Sequence, residues 1–349
     1  MKDYLVVGMG LAGVAFCEVL AQEKKSFTVV SNTSQQASTV AGGLYNPVIL
    51  KRFTMAWLAQ QQLSQALPFY ERLQKKLDIV LDHKVPVLRK FASIEEQNLW
   101  FEKADQPGLT RFLSPKIISN TNTHIDAPFG YGEVLDTGRI DTALLLKSYV
   151  EYLKKQDLFI AETFNHNRVT QHKEYIAYNG IKAKNIVYAE GYGLKENPYF
   201  NYLPLNGTKG ELLTIKAPDL NESCVIKSSV FIIPLGNHLY RVGATYKWKD
   251  KTNVPTAMAK TELLGKLDTF LKCSYEVVKH VAGIRPTVTD RRPLVGQHPD
   301  YPRFYLLNGF GSRGVMIAPF AAQQLFQAIE VQIPVHPEMD IARFAQKYA

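Results

Sequence analysis

A glycine-rich turn near the start of the chain constrains the fold more than any other feature of the sequence. It reads Gly8-Met9-Gly10-Leu11-Ala12-Gly13 and matches the pattern G-x-G-x-x-G. A short apolar run at residues 4–7 precedes the turn, and apolar residues at helical spacing follow it over residues 11–22. A second apolar run at 27–30 completes a strand–turn–helix–strand unit. The sequence therefore predicts that the chain begins as a Rossmann-like α/β fold.

Each glycine in this turn has a physical use when a dinucleotide binds. Gly8 makes the tight turn, Gly10 lets the backbone approach a diphosphate, and Gly13 lets the helix pack against the strand. The diphosphate then lies at a helix N-terminus beside Leu11 and Ala12, where free N–H groups and the helix dipole favour negative charge. The turn predicts a dinucleotide cofactor, and a purely structural turn is the alternative.

The end of the second strand narrows the choice of dinucleotide. Many folds of this kind place an acid there to bind the ribose hydroxyls, but this chain has Ser31 and Asn32. Either side chain can form those hydrogen bonds as a neutral partner. Because no arginine lies between residues 31 and 51, a 2′-phosphate has no clamp. NADP is disfavoured, whereas FAD and NAD both remain.

Composition and cysteine usage limit the class of protein. A chain of 349 residues with 46% hydrophobic and 21% charged residues predicts two globular domains and excludes a disordered protein. Cys17, Cys224 and Cys273 are scattered, which argues against a disulfide framework and favours a cytoplasmic protein. The longest apolar runs are too short for a membrane span or a signal peptide. The histidine spacing predicts no metal site.

The charge balance leaves two interpretations open. Lysine and arginine number 41 against 32 acidic residues, a formal charge of +9, and the densest basic segment is residues 247–251. Such a balance is typical of a solvated basic surface, and it is also typical of a face that binds a polyanion such as tRNA.

The rest of the pattern predicts a nucleotide-binding fold with insertions. We expect helices at 56–76, 139–155, 256–271 and 317–329, and strands at 184–189, 211–216, 224–234, 239–244 and 304–307. Residues 78–131 should form short strands and loops. We assign 1–77, 135–205 and 283–349 to the nucleotide-binding domain, and 78–134 and 206–282 to an inserted, mostly antiparallel β-sheet domain. The fold class is α/β, or α+β overall.

Three later motifs distinguish the remaining cofactors. They are the run 38–44 (Ser-Thr-Val-Ala-Gly-Gly-Leu), Gly283-Ile284-Arg285-Pro286, and Gly309-Phe310-Gly311-Ser312-Arg313-Gly314. In this order, with the glycine turn, they resemble the FAD-dependent family of D-amino-acid, glycine and sarcosine oxidases over about residues 5–325. One branch is especially similar at Gly43-Leu44-Tyr45-Asn46-Pro47: the oxidase domain of the bifunctional enzyme that makes 5-methylaminomethyl-2-thiouridine in tRNA.

The resemblance implies non-covalent FAD bound by the first domain, with the inserted domain covering the substrate. A thioether link from Cys273 to the flavin is the alternative. Gly8, Gly10 and Gly13 would hold the diphosphate, and Phe164 would contact the adenine. The remaining implied contacts are Ala41, Gly42, Gly43 and Leu44 along the flavin, Ala189 and Gly191 on the adenosine side, and Arg285, Gly309, Gly311, Ser312, Arg313, Gly314 and Val315 near the flavin ring.

The resemblance also implies a reaction. In this family the carbon that bears the amine gives a hydride to flavin N5, the imine hydrolyses, and oxygen reoxidises the flavin. Arg285 matches the arginine that binds the substrate carboxylate. Tyr246 is placed to hydrogen-bond the amine or the carboxylate, with core packing as the alternative. Arg313 faces either the flavin or the substrate.

Three functions therefore stay open. The first is an oxidase of a small amine or amino acid. The second is an oxidase that removes a carboxymethyl group from a wobble uridine in tRNA, which is the same chemistry because that side chain is a glycine derivative. The third is a flavin-binding protein without amine turnover.

Overall fold

Two large sheets organise the computed structural model, which describes residues 1–32 and 34–347. The helices are α1 Leu11–Gln22, α2 Ala37–Val40, α3 Ala59–Leu77, α4 Ile94–Ala104, α5 Thr142–Lys154, α6 Ala257–Leu267 and α7 Gly314–Glu330. The strands are β1 Lys2–Val7, β2 Phe27–Ser31, β3 Leu44–Tyr45, β4 Val48–Ile49, β5 Thr54–Met55, β6 Asp82–His83, β7 Val87–Lys90, β8 Leu113–Ile118, β9 Tyr131–Val134, β10 Gly138–Ile140, β11 Phe159–Ala161, β12 Thr170–Gln171, β13 Ile176–Tyr178, β14 Ile181–Tyr188, β15 Thr208–Lys216, β16 Val225–Lys227, β17 Phe231–Gly236, β18 Leu239–Gly243, β19 Glu276–Arg285, β20 Leu294–Gln297 and β21 Phe304–Asn308.

The first sheet is parallel at its centre. Its order is β11-β2-β1-β14-β13-β12, and β21 pairs with the end of β14 and with β20. Strands β11, β2, β1, β14 and β21 run parallel to their neighbours in this order. Every residue of β2 and the last four of β1 are buried, as expected for strands covered on both faces. The predicted strand–turn–helix–strand unit is confirmed.

The second sheet is antiparallel apart from one pair. Its order is β19-β15-β18-β17-β16-β7-β9-β8, and only β16 and β7 run parallel among its described pairs. Its strands fall within residues 78–134 and 206–282, except for the last three residues of β19. Leu263 and Leu267 of α6 pack with Leu213 and Val242 in the core of this sheet.

The chain alternates between the two sheets. It passes from the first to the second between β2 and β7 and again between β14 and β15. It returns between β9 and β11 and between β19 and β20. Small sheets β3-β10-β6 and β4-β5 lie along these connections. Within the described residues, no helix has both the length and the apolar character needed to cross a membrane.

Several predicted elements differ from the structure for identifiable reasons. Helix α4 lies in a region predicted as strands and loops, where Ser93 caps it by accepting a hydrogen bond from the Glu96 N–H. The run 224–234 is two strands joined by a turn. Strand β19 was not predicted, because exposed and half-buried residues fill its first half.

The last helix begins three residues earlier than the sequence predicts. Pro319 lies inside α7, and a proline there removes one backbone hydrogen bond. The buried Tyr70 hydroxyl donates instead to the Val315 carbonyl, at 2.9 Å. Tyr70 of α3 thus satisfies the Val315 carbonyl, which Pro319 leaves without its helical partner.

Candidate active site

A cavity of about 500 Å³ is lined by loops of the first sheet and by one face of the second. On one side, Gly8, Ser31, Ala189 and Asn308 line it at the carboxyl ends of β1, β2, β14 and β21. Open α/β sheets bind ligands at this edge. The opposite wall comes from β15, β17, β18 and β19 and includes Gly210, Leu212, Phe231, Ile233, Gly243 and Gly283.

Two helix N-termini meet this cavity. The first turns of α1 and α7 line it, and neither helix has a side-chain N-cap. The Leu11 N–H donates to the Ser38 hydroxyl at 3.2 Å, so Ser38 lies directly against the glycine turn. The remaining free N–H groups and the helix dipole give each end a positive potential that suits an anion. Ser38 belongs to a motif that the sequence pointed to, but the residue was not predicted as a contact.

The glycines provide a cradle for an extended group. Gly191 and Gly311 line the cavity with φ of +57° and +55°, and a Cβ atom added to either would meet no protein atom within 4 Å. At Gly42 an added Cβ would lie 3.0 Å from Ile233 Cδ1. Bare backbone therefore borders the cavity at Gly191 and at Gly311. The cavity, the two helix ends and these glycines fit an outstretched dinucleotide such as FAD.

Most of the predicted cofactor residues line this cavity. They are Gly8, Gly10, Leu11, Ala12, Ser31, Asn32, Ala41, Gly42, Gly43, Leu44, Phe164, Ala189, Gly191, Arg285, Gly311, Ser312, Arg313, Gly314 and Val315.

Gly13 and Gly309 do not line the cavity, so their contact with the cofactor stays a prediction. A Cβ on Gly13 would lie 2.1 Å from the Gly8 carbonyl oxygen, so Gly13 serves the packing of α1 on the turn. Gly309 has a φ of +79°, and a Cβ there would lie 2.9 Å from the Leu294 N. Both positions need glycine because backbone approaches closely.

The edge after β2 and β14 is polar. Asn32 donates to the Thr163 hydroxyl at 3.0 Å and accepts from the Ser34 N–H at 3.0 Å. Phe164 stacks on Tyr178 with ring centroids 4.3 Å apart. Glu190, which sequence reasoning missed, pairs with His166 at 2.9 Å. Its place two residues after the buried parallel strand β14 is the signal that could have found it.

Arg285 lies at the end of β19 and faces the cavity. Its Nη1 donates to the Thr245 carbonyl at 3.2 Å, and its guanidinium lies 5.6 Å from the Tyr246 ring centroid. A Cβ on Gly210 would lie 2.1 Å from Nη2, so the side chain crosses over this bare strand. No carboxylate of the described residues pairs with it. Burial lowers the pKa of Arg285, yet arginine stays charged in proteins, which leaves an uncompensated cation in the cavity.

The side chain of Tyr246 is not part of the cavity wall. It is 43% exposed and meets Trp248, itself 46% exposed, edge to face with centroids 5.2 Å apart. Its ring covers one side of the Arg285 guanidinium. Tyr246 is therefore neither packed in the core nor part of the cavity wall.

Arg313 connects two of the motifs. Its Nη1 donates to the Asn46 carbonyl at 2.8 Å, and it lines the cavity at the start of α7. Burial lowers the pKa of Arg313. The hydrogen bond fixes its guanidinium against the loop 43–47.

A buried lysine holds the basic segment that follows Tyr246. The Lys209 side chain is 0% exposed, and Nζ lies 2.6 Å from Asp250 Oδ2 and 3.2 Å from the Thr252 hydroxyl. Glu211, also buried, lies 3.6 Å from Nζ. Lys209 thus fixes the loop that carries Trp248 to the strand behind it.

Replacing Asp250 with asparagine should destabilise the protein by about 1 kcal/mol at pH 7, since a half-exposed charged hydrogen bond is lost. The hydrogen bond from Lys209 holds the pKa of Asp250 at about 2, below its unfolded value. The stabilisation is therefore complete above about pH 4 and disappears as the pH falls through about 2. Urea unfolding of wild type and Asp250→Asn across this range measures it. A stability difference that does not shrink in acid would contradict the ion pair.

The cysteines lie away from the cavity. Cys17 is buried in α1, and Cys224 and Cys273 pack beside the core of the second sheet. None of the three lines the cavity. In the part of the chain that the structure describes, no group of three His, Cys, Asp or Glu side chains could hold a metal ion.

Comparisons with known proteins agree with this geometry. Residues 3–328 match the DAO family, described as FAD dependent oxidoreductase. The chain is 24% identical to the glycine oxidase of Bacillus subtilis, over 91% of this chain and 90% of that protein. It is also 24% identical to the tRNA 5-methylaminomethyl-2-thiouridine biosynthesis bifunctional protein MnmC of Legionella pneumophila, over 99% of this chain but only 58% of that protein.

Solved structures share the fold. The glycine oxidase from Geobacillus kaustophilus superposes with a TM-score of 0.79 at 18% identity and covers 98% of this chain and 97% of its own. The iminodiacetate oxidase from Chelativorans sp. gives a TM-score of 0.79 at 16% identity, with 96% and 98% covered. The sequence match spans almost the whole chain and includes the glycine turn, the cavity loops and Arg285. This protein therefore belongs to the DAO family of FAD-dependent oxidoreductases.

Proposed function

We propose that this chain oxidises the C–N bond of a small amine or amino acid that carries a carboxylate. The observation that carries the proposal is Arg285, a desolvated guanidinium that faces the cavity without a carboxylate partner among the described residues. A planar guanidinium binds a carboxylate through two parallel hydrogen bonds, which fixes the orientation of the substrate as well as its affinity. The relatives named as oxidases of glycine and iminodiacetate support this substrate class.

The residues of the chain divide the work between cofactor and substrate. The uncapped ends of α1 and α7, with Gly8, Gly10 and Gly311, would hold FAD. FAD, when bound, accepts the hydride and supplies the redox chemistry. Arg285 binds the substrate carboxylate, while Tyr246 shields its outer face from water. A desolvated wall strengthens the charge–charge attraction at this point.

Arg313 has a positioning role in this scheme. Its hydrogen bond to the Asn46 carbonyl fixes the loop 43–47 against the start of α7. Together with the helix end it gives this part of the cavity a positive potential, which favours an anionic reduced cofactor. FAD is bound without a covalent link in this proposal, because none of Cys17, Cys224 and Cys273 lines the cavity. The proposal also places the protein in the cytoplasm, where a reducing environment suits three free thiols.

Anaerobic bleaching of the bound flavin by a panel of amines tests the proposal. Glycine, sarcosine, D-proline and longer N-alkylglycines should reduce the flavin, whereas the matched amines without a carboxylate should not. Peroxide release in air then identifies dioxygen as the acceptor. A flavin that no amine or modified tRNA reduces would show instead a flavin-binding protein without amine turnover.

Oxidation of a wobble-uridine side chain in tRNA is a second candidate. The specific observation in its favour is the exposed aromatic pair Tyr246 and Trp248 beside Arg285, at the start of the basic segment 247–251. Exposed aromatic rings among lysines suit base stacking and phosphate contact. Reduction only by tRNA bearing the carboxymethylaminomethyl group, with affinity that falls steeply as salt rises, would favour this candidate over a free amino acid.

A further inference from the structure

The charges that line the cavity are unevenly distributed. Among the described residues, its acids are Glu190 and Glu196, which both follow β14. The described lining residues from the second sheet carry cations only, Lys227 and Arg285, and Lys51 in the turn between β4 and β5 adds a third cation to the lining. One cation is enough for one carboxylate, so the second wall has positive charge beyond what the proposed function uses.

Lys227 is the cation that this function leaves unexplained. It is half-buried at the end of β16, and its Nζ lies 4.6 Å from the Phe231 ring centroid. Among the described residues it has neither an ion-pair partner nor a hydrogen-bond partner for Nζ. Burial and the nearby cations Arg89 and Lys266 lower the pKa of Lys227 to about 8. An ammonium in these surroundings is costly unless an anion compensates it.

The two cations near Lys227, Arg89 and Lys266, each have an acid of their own. Glu96 lies 2.6 Å from Arg89 Nη2, and Glu262 lies 2.7 Å from Lys266 Nζ. The fold thus neutralises both cations next to Lys227 and leaves Lys227 itself open to the cavity.

The register of the sheet places Lys227 and Arg285 on one face. Lys227 pairs with Phe231, Phe231 with Gly243, Gly243 with Leu212, and Leu212 with Val281. Arg285 follows four residues later on the strand of Val281, and residues two and four apart share a face. Four strand spacings, roughly 19 Å of backbone, separate the two strands, so the cations stand at opposite edges of the same wall.

We propose that Lys227 is a specificity-determining residue that binds a second anionic group of the substrate, several bonds away from the carboxylate held by Arg285. This inference rests on the proposed function and narrows its substrate to an amine with two separated negative groups, the remote one a carboxylate or a phosphate. The apolar Phe231 and Leu212 between the two cations suit the chain that links the groups.

Binding of non-oxidisable thioethers to the FAD-loaded protein tests the inference without turnover. The probes are (methylthio)acetate, with one carboxylate, and ω-carboxyalkyl- and ω-phosphonoalkyl-thioacetates with two to five methylenes. Calorimetric titration should show at least one dianion that binds about tenfold tighter than the monoanion, the effect of one charged hydrogen bond at a half-buried site. Tighter binding of the phosphonate than of the carboxylate would identify a phosphate-bearing substrate.

Lys227→Met should abolish this preference and leave the dissociation constant of the monoanion within about twofold, whereas Lys227→Arg should retain it. Lys182→Met, at an exposed site over Tyr175, is the matched control and should change nothing. Flavin content shows that each variant is folded. No dianion preference in the wild type, or a preference that survives Lys227→Met, would overturn the role of Lys227. If instead the monoanion binds wild type and Arg285→Ala equally well, the proposed function itself fails.

Discussion

Replacing Arg285 with alanine is expected to weaken substrate binding by roughly 150-fold or more. The guanidinium can donate two hydrogen bonds to one carboxylate, and each charged bond contributes about 1.5–3 kcal/mol. The loss should appear as a higher dissociation constant in anaerobic reduction, with a smaller change in the limiting rate, because the carboxylate is held before and during the hydride step. Stopped-flow reduction across substrate concentrations separates the two quantities.

Two further variants make this result specific. Arg285→Lys keeps the charge but not the paired donors and should recover only part of the affinity. Arg303→Ala removes an arginine that donates to the Lys173 and Lys184 carbonyls, outside the cavity, and should behave as wild type. If Arg285→Ala binds the substrate normally, the carboxylate lies elsewhere and the proposed substrate class is wrong.

Gly8→Ala is expected to release FAD and to destabilise the fold. Gly8 has a φ of +99°, and an added Cβ would lie 2.5 Å from the Ala189 carbonyl oxygen. The unfavourable φ alone costs about 1–3 kcal/mol, and the clash must push apart the ends of β1 and β14. Since both loops line the cavity, the cradle should open. The ratio of flavin to protein absorbance and the thermal unfolding midpoint measure the two effects.

The turn between β13 and β14 offers a matched control. Gly180 also has a positive φ, of +82°, but a Cβ there would meet no atom within 4 Å. Gly180→Ala should therefore show only the backbone strain, about 1–2 kcal/mol, and keep its full FAD content. Equal flavin content in Gly8→Ala and Gly180→Ala would show that the close approach at Gly8 does not shape the cofactor site.

The sequence predicted the part of the fold in which local pattern and tertiary role agree. In the strand–turn–helix–strand unit, buried parallel strands are continuous apolar runs, and the glycine turn has a fixed spacing. Helix α4 and strand β19 lacked such agreement, because α4 lies in a segment broken by prolines and β19 is exposed over half its length. The partner of β19 is strand β15, about 60 residues earlier in the chain, so the local pattern could not identify it. Helix α4 did carry a local signal, the Ser93 cap with Glu96 three residues later, which sequence reasoning missed.

The residues of the candidate site that belong to a sequence motif were predicted. Those that only the tertiary structure brings to the cavity were missed. Arg285 and the backbone of Gly311 belong to recognisable motifs, and the structure brings them to one cavity. Lys227, Glu190 and Ser38 join it through sheet register and loop closure. No spacing in the chain shows that Lys227 and Arg285 share a wall, since four strand pairings separate them.

The alternation of the chain between its two sheets means that neither sheet is encoded by one continuous stretch. Each sheet is built from chain segments that are separated in sequence by segments of the other sheet. The cavity lies between the two sheets. Separate expression of either half should therefore give no autonomous unit, and a cut in one connecting segment should loosen both halves together. Because both sheets line the cavity, we expect that cutting any of the connecting segments will also release the flavin.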